Sequence, residues 1–296
     1  MKKIHIYGAV LALLAAGAVC LAGCDAGQPP SSSAVQEPQP GQSQTYLYRL
    51  QIQNTGEDTN TETYLQIAER SQKAFRVLEE TAGLMLMDAY NYQDIDGQGT
   101  PLYTQNSMKY PQEISPNGQS IRVNVNYLRE HPVETADGKD LLSQISDSDT
   151  ELSVLVPEKY RSMEPDIQKA YRENFYFEKV TAENDYNEMA ARPERSALTM
   201  DDLHVNIIYV KDGQKYETYR PDSCAVADGG WVTDPVVQVY TSNIHCNYAH
   251  SFLSQWSYLR SPQSTPEQAY EEILPYLVQT GTEQSIQQVK LVNDKQ

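Results

Sequence analysis

Residues 1–44 restrict what this chain can fold into more than any other feature, because they remove themselves from the folding problem. Lys2 and Lys3 give a short basic start, and an apolar run rich in Ala, Leu and Val follows from Tyr7 to Leu21. Small residues then lead into a cysteine, Leu21-Ala22-Gly23-Cys24. A membrane span needs about 20 apolar residues; this run is shorter and has Gly8, Gly17 and Gly23 in or beside it, which is the layout of a cleaved secretory signal. Asp25 to Gln44 contains Pro29, Pro30, Pro38, Pro40 and Ser31-Ser32-Ser33 and no aromatic residue. Such a segment cannot bury enough apolar surface to offset the entropy of ordering it, so it reads as a tether that spaces a folded part from what precedes it. Any core must therefore be built from residues 45–292, enough for one large domain or two small ones.

The segment ending at Cys24 resembles the lipobox of bacterial lipoproteins. That resemblance implies a signal peptide over residues 1–23, Cys24 as the first mature residue, and a diacylglycerol on its thiol. It places the chain extracytoplasmically, lipid-anchored at the outer face of the cytoplasmic membrane. A diacylglycerol supplies two acyl chains, and two anchoring signals are what stable attachment takes. The formal charge of the whole chain is −17, and loss of residues 1–23 would take it to −19, since they carry Lys2 and Lys3 and no acid. So acidic a surface disfavours nucleic acid and anionic lipid head groups as partners.

Without Cys20 and Cys24, two cysteines remain. Cys224 and Cys246 are candidates for a disulfide, which would close a loop of about 20 residues and contribute about 3 kcal/mol in the chain-entropy model; two buried free thiols are the alternative. His245, Cys246 and His250 with Cys224 have a faint metal-ligand look, but structural zinc sites use tighter ligand pairs. The sequence assigns neither a metal nor a cofactor.

Along residues 45–292 the hydrophobic period changes repeatedly. Thr45–Gln53 alternates as a strand, Thr61–Thr81 has helical spacing with Gly83 as its stop, and Leu84–Tyr90 is a short apolar strand. Ser120–Leu128 places Ile121, Val123, Val125 and Tyr127 on one face and Asn124 and Asn126 on the other, which predicts a strand broken by His131-Pro132. Asp140–Ile145 predicts a short helix. Leu152–Val156 reads as a strand, and Pro165 suits the first turn of a helix running to Phe177. Lys211-Asp212-Gly213 between His204–Val210 and Gln214–Tyr219 predicts a hairpin. Trp231–Tyr240 predicts one strand, Asn247–Leu259 and Thr265–Val278 two helices, and Gln284–Val292 a last short segment. The order predicts an α+β fold with mixed or antiparallel sheets and packed helices. The polar stretch Asn184–Thr199 is a candidate boundary between two lobes.

No motif for a serine hydrolase, zinc protease, P-loop or dinucleotide site is present. With five histidines and 40 acidic residues, chance pairings are common. Asp94, Asp96 and Gly97 resemble part of a calcium loop but lack its closing acid, so a plain turn is the reading. Asp147, Asp149 and Glu151 read as a solvated turn. The neighbours Glu79-Glu80 and Glu271-Glu272 point apart on helices and read as solvated faces. Ser251 beside His250 is no evidence of a dyad, since nucleophile and base meet in space rather than in sequence. Nothing here makes the chain an enzyme.

Several segments in order carry a second resemblance. They are Asn117-Gly118-Gln119-Ser120-Ile121-Arg122-Val123-Asn124-Val125-Asn126-Tyr127-Leu128 with His131-Pro132-Val133, then Leu155-Val156-Pro157-Glu158-Lys159-Tyr160 with Glu164, Ile167 and Tyr171. Ile207–Lys215, Asp234–Thr241 and Ile273-Leu274-Pro275-Tyr276-Leu277 complete the set. Together they resemble the extracellular region of the bacteriocin-associated integral membrane proteins of Gram-positive bacteria, which are related to permeases of macrolide-exporter-type ABC systems. The likeness covers Thr45 to Val292. Those proteins continue into several membrane helices, whereas this sequence reaches Gln296 without one, so permease activity does not carry over. The resemblance implies a non-enzymatic surface domain that contacts an ABC-type exporter or a bacteriocin-like peptide in immunity or export. The alternative is a solute- or glycan-binding lipoprotein whose tyrosines, 21 in the chain, line a ligand site.

Overall fold

In a computed structural model that describes residues 44–52, 60–105 and 109–292, the alternating first segment forms β1 (Tyr46–Ile52). The signal, Cys24 and the tether lie outside the described residues. α1 (Thr61–Ala82) starts in a capping box: Thr63 N donates to Asn60 Oδ1 at 3.0 Å, and Asn60 N donates back to Thr63 Oγ1 at 3.2 Å. It stops where the helical spacing predicts, at Gly83, whose φ of 67° is open to glycine at little cost. Its inward stripe includes Leu65, Ala68, Ala74, Phe75 and Leu78.

β2 (Met85–Asp88), β3 (Ser120–Val123), β4 (Glu151–Pro157), β5 (His204–Val210), β6 (Lys215–Glu217), β7 (Trp231–Thr233), β8 (Val236–Val239), β9 (Ser257–Ser261) and β10 (Ile286–Leu291) complete the strands among the described residues. Between them lie α2 (Val125–Glu130), α3 (Glu164–Tyr176), α4 (Ala182–Met189), α5 (Cys246–Gln255) and α6 (Pro266–Thr280). Eight strands form one sheet in the order β10-β1-β9-β2-β3-β8-β4-β5, and β6 and β7 pair separately. The pairs β3/β8 and β4/β5 are parallel and the other ladders antiparallel, so the predicted α+β fold with a mixed sheet is present. Every residue of β3 and β8 is buried, as expected for central strands covered on both faces. α1 packs on α5 and α6, α5 on β1, α6 on β10 and α3 on β5. All the described residues belong to one compact unit. The stretch Asn184–Thr199 holds the end of α4 and a connection that is tied back onto α1.

Five predicted elements differ, and four of the differences have a tertiary cause. The strand expected over Ser120–Leu128 ends at Val123. Asn124 Oδ1 accepts from Tyr127 N (3.2 Å), capping α2, and from Leu86 N (2.9 Å), so the chain turns into a helix just where the alternation continues. The Asp212-Gly213 turn does not close a hairpin: β5 runs parallel to β4 while β6 pairs with β7. It is a corner between two sheets, held because Gly213 N and Gln214 N donate to Asp234 Oδ1 at 2.7 and 2.9 Å. That same Asp234, at φ 52°, splits the strand predicted over Trp231–Tyr240 into β7 and β8. The helix predicted to Leu259 stops at Gln255, because Ser257–Ser261 is taken up as β9 between β1 and β2. The segment Asp140–Ile145 forms only a three-residue 3₁₀ turn, Leu142–Gln144.

Tyrosine serves the core. Tyr48, Tyr127, Tyr171, Tyr216, Tyr240 and Tyr258 are among the largest fully buried side chains.

Candidate functional site

A cleft of about 730 Å³ lies beside α1, α4 and the start of α5. Glu62, Leu65, Glu69 and Gln72 line it from α1, Glu183 and Asn187 from α4, and His245 and Cys246 from the mouth of α5. The segment after α4 closes one side. Arg192 N donates to Asn187 O (2.8 Å), and its guanidinium clamps α1: Nε and Nη2 donate to the two oxygens of Glu62 (2.7 and 2.8 Å), and Nη1 to Glu69 Oε1 (2.6 Å). These hydrogen bonds hold the Glu62 carboxyl below its ordinary range and raise Arg192 further. Ala191 takes a left-handed φ of 57° to bring Arg192 there.

Lys179 is the other cation in the wall. Its Nζ donates to Asp149 Oδ2 (2.7 Å) and Asn243 O (3.0 Å). Both cations are thus committed to carboxylates, which leaves Glu183 and Glu194 to set the sign of the cleft, and that sign is negative.

Behind the cleft wall, the α3–α4 junction is a five-residue π-helical turn, Phe177–Thr181. It places Glu178 against Arg122 of β3. Arg122 Nη2 donates to Glu178 Oε1 and Oε2 (2.8 and 2.7 Å) and to Gln238 Oε1 (2.9 Å), and the guanidinium lies 5.4 Å from the centre of the Phe252 ring. His245 N donates to Glu178 O at 3.1 Å, so the pair also fixes the start of α5. Removing either partner would strand a buried charge.

The residues singled out for cysteine or metal chemistry do not converge. Cys224 and Cys246 are separate buried free thiols, so the candidate disulfide is not formed. Cys224 sits in a loop bridged to Gln93, and Cys246 opens α5. Among the described residues no three His, Cys, Asp or Glu side chains group as a metal site. His250 Nδ1 lies 3.0 Å from Ser71 Oγ, and His245 Nδ1 lies 2.6 Å from Asn247 Oδ1. Tyr186 stacks on His245 at 5.1 Å and on Tyr64 at 5.6 Å, and Tyr64 meets His250 edge-on at 5.8 Å.

Cys246 Sγ approaches His245 Nε2 at 3.8 Å, the one contact in the cleft that resembles a nucleophile and its base. Its electrostatics oppose that role. Burial pushes the Cys246 thiol up to about 12 and holds His245 below its ordinary value, so the thiol stays protonated beside a neutral ring. Cys224 is likewise raised by burial, to about 11. Asp94 forms the plain turn expected, its carboxylate accepting from Asp96 N, Gly97 N and Gly99 N.

One expectation needs correction. Glu79 is not part of a solvated face: its Oε1 accepts from Asn124 Nδ2 at 2.8 Å, and burial raises it to about 7. No tyrosine is among the residues that line this cleft. No family model, curated protein or solved structure matches this chain. Arg192, Glu62, Glu69 and Glu183 were invisible as a site in the sequence, since they lie up to 130 positions apart on segments that read separately as a helix and a polar loop.

Proposed function

We propose that the chain is a non-enzymatic binding domain, held at the outer face of the cytoplasmic membrane by lipid on Cys24. Its acidic cleft takes a cationic segment of a bacteriocin-like peptide or of an ABC-type exporter. The observation that carries this reading is the cleft of about 730 Å³ whose two cations are already paired, leaving Glu183 and Glu194 to meet a positive partner. A cleft of that size accommodates a few side chains of a peptide. The protonated Cys246 beside a neutral His245 supports binding over covalent chemistry.

Crosslinking in intact cells followed by mass spectrometry tests it. The native chain should capture a transporter subunit or a secreted cationic peptide. The double variant Glu183→Lys/Glu194→Lys should lower that recovery about fivefold or more, since each reversal replaces an attraction by a repulsion. Equal recovery by the double variant, or capture of nothing beyond the background of a control lipoprotein, overturns the reading.

A further inference from the structure

A second cleft, about 490 Å³, opens between α2 and the connection that follows it. Its floor is apolar and aliphatic. Leu128 and Leu141 are almost fully buried there, joined by Pro132, Val133 and Leu142. The rim carries Arg129, Lys139 and Lys211 with Glu134, Asp140 and the neighbouring Asp137; the two lysines are each paired with an acid, which leaves Arg129 as the cation without an ion pair among the described residues.

The rim is held in place by backbone. Gly138 turns the chain at φ 73°, and the buried Thr135 Oγ1 donates to Lys139 O at 2.6 Å. Lys211 N donates to Glu134 O (2.9 Å), which ties the end of β5 to the same connection. The cations themselves are weakly committed. Lys139 pairs with Asp137 at 2.9 Å and Lys211 with Glu134 at 2.6 Å, and all four side chains are well exposed. Such pairs exchange readily with solvent and competing ions. Arg129 donates to Asn126 Oδ1 (2.7 Å) and makes no ion pair among the described residues.

We propose that this cleft binds an amphiphilic anion. A straight alkyl chain lies on the Leu128–Leu141 floor, and a carboxylate or phosphate head sits between Arg129 and Lys211. The volume falls in the range of about 300–1,000 Å³ typical of small-molecule sites, and an apolar lining with a few placed charges is the pattern of such sites. The floor has no aromatic residue to stack a ring, which selects an aliphatic tail. A negative head gains there from the unpaired Arg129 and from the exposed lysines, whose ion pairs it can replace.

Calorimetric titration of the full chain carrying Cys24→Ser with decanoate below its micellar range should give saturable one-to-one binding. Dodecanoate should bind about 15-fold tighter, its two added methylenes contributing about fourfold each. Arg129→Glu/Lys211→Glu should weaken decanoate about tenfold or more and leave neutral decanol unchanged. Lys211→Glu alone, at an exposed position, keeps the test valid where the double variant melts early. Vesicles containing phosphatidic acid distinguish the source of the head group: retention of the native chain but not of the variant assigns a membrane lipid, and decanoate binding without retention assigns a free amphiphile. No saturable binding of decanoate, equal affinity for decyltrimethylammonium, or variants that bind decanoate like the native chain would overturn the proposal.

Discussion

At the residue scale, Glu79 joins three elements. Its carboxylate meets Asn124 Nδ2, its carbonyl accepts from Asn126 Nδ2 (2.8 Å), and both asparagines also donate to Leu84 O. Burial raises Glu79 from 4.5 to about 7. The folded state therefore binds a proton there that the unfolded chain releases above about pH 4.5. The contribution is complete below that pH and is lost as pH rises through 7. Unfolding by denaturant should show a loss of about 1–3 kcal/mol between pH 5 and pH 8. Glu79→Gln, which keeps the acceptor for Asn124, should flatten that slope; an unchanged slope would place the titration elsewhere. The sequence shows only Glu79 beside Glu80 on a helix. The asparagine that reaches Glu79 is 45 positions away, so its burial has no local signature.

At the element scale, periodicity and caps located most helices and strands, and failed where a long-range bond competes with the local pattern. α1 is legible from Asn60 to Gly83 because both of its stops are local. β3 and α2 are not, because Asn124 sits in an alternating run and acts as a cap. Asn124→Ala removes the cap on Tyr127 N and leaves Leu86 N without its side-chain partner in the core, while Leu84 O keeps only Asn126 Nδ2. Urea unfolding should register a loss of about 2–4 kcal/mol; a loss below about 0.5 kcal/mol would mean that the alternating strand re-forms through Tyr127 at no cost. Asp234 acts similarly: one carboxylate binds Gly213 N, Gln214 N and Lys159 Nζ (2.8 Å) and converts an expected hairpin into a corner.

At the scale of the whole molecule, the sheet is assembled from distant segments. β1 lies between β10 and β9, so the start of the domain is closed by its last 40 residues or so. Tyr46, near the first of the described residues, pairs with Ser261 inside the sheet. The described residues form one compact unit, so if lipid on Cys24 is the anchor as proposed, Cys24→Ala should move the chain from the membrane to the soluble fraction with its melting temperature unchanged, provided the signal is still cleaved. Firm retention of the cleaved variant in the membrane fraction would show that something other than lipid on Cys24 holds it.

The sequence by itself determined the α+β class, the run of α1, the seats of Pro165 and Thr265 at helix starts, and a strongly acidic composition. These depend on composition, period and neighbours within a few positions. Only the tertiary structure decided that Asn124 ends a strand, that Asp212-Gly213 is a corner, that Cys224 and Cys246 stay apart, and that Arg192 closes an acidic cleft against Glu62 and Glu69. Each of these depends on a partner tens to more than a hundred residues away, brought close by burial of the sheet, and a sequence pattern carries no measure of that distance.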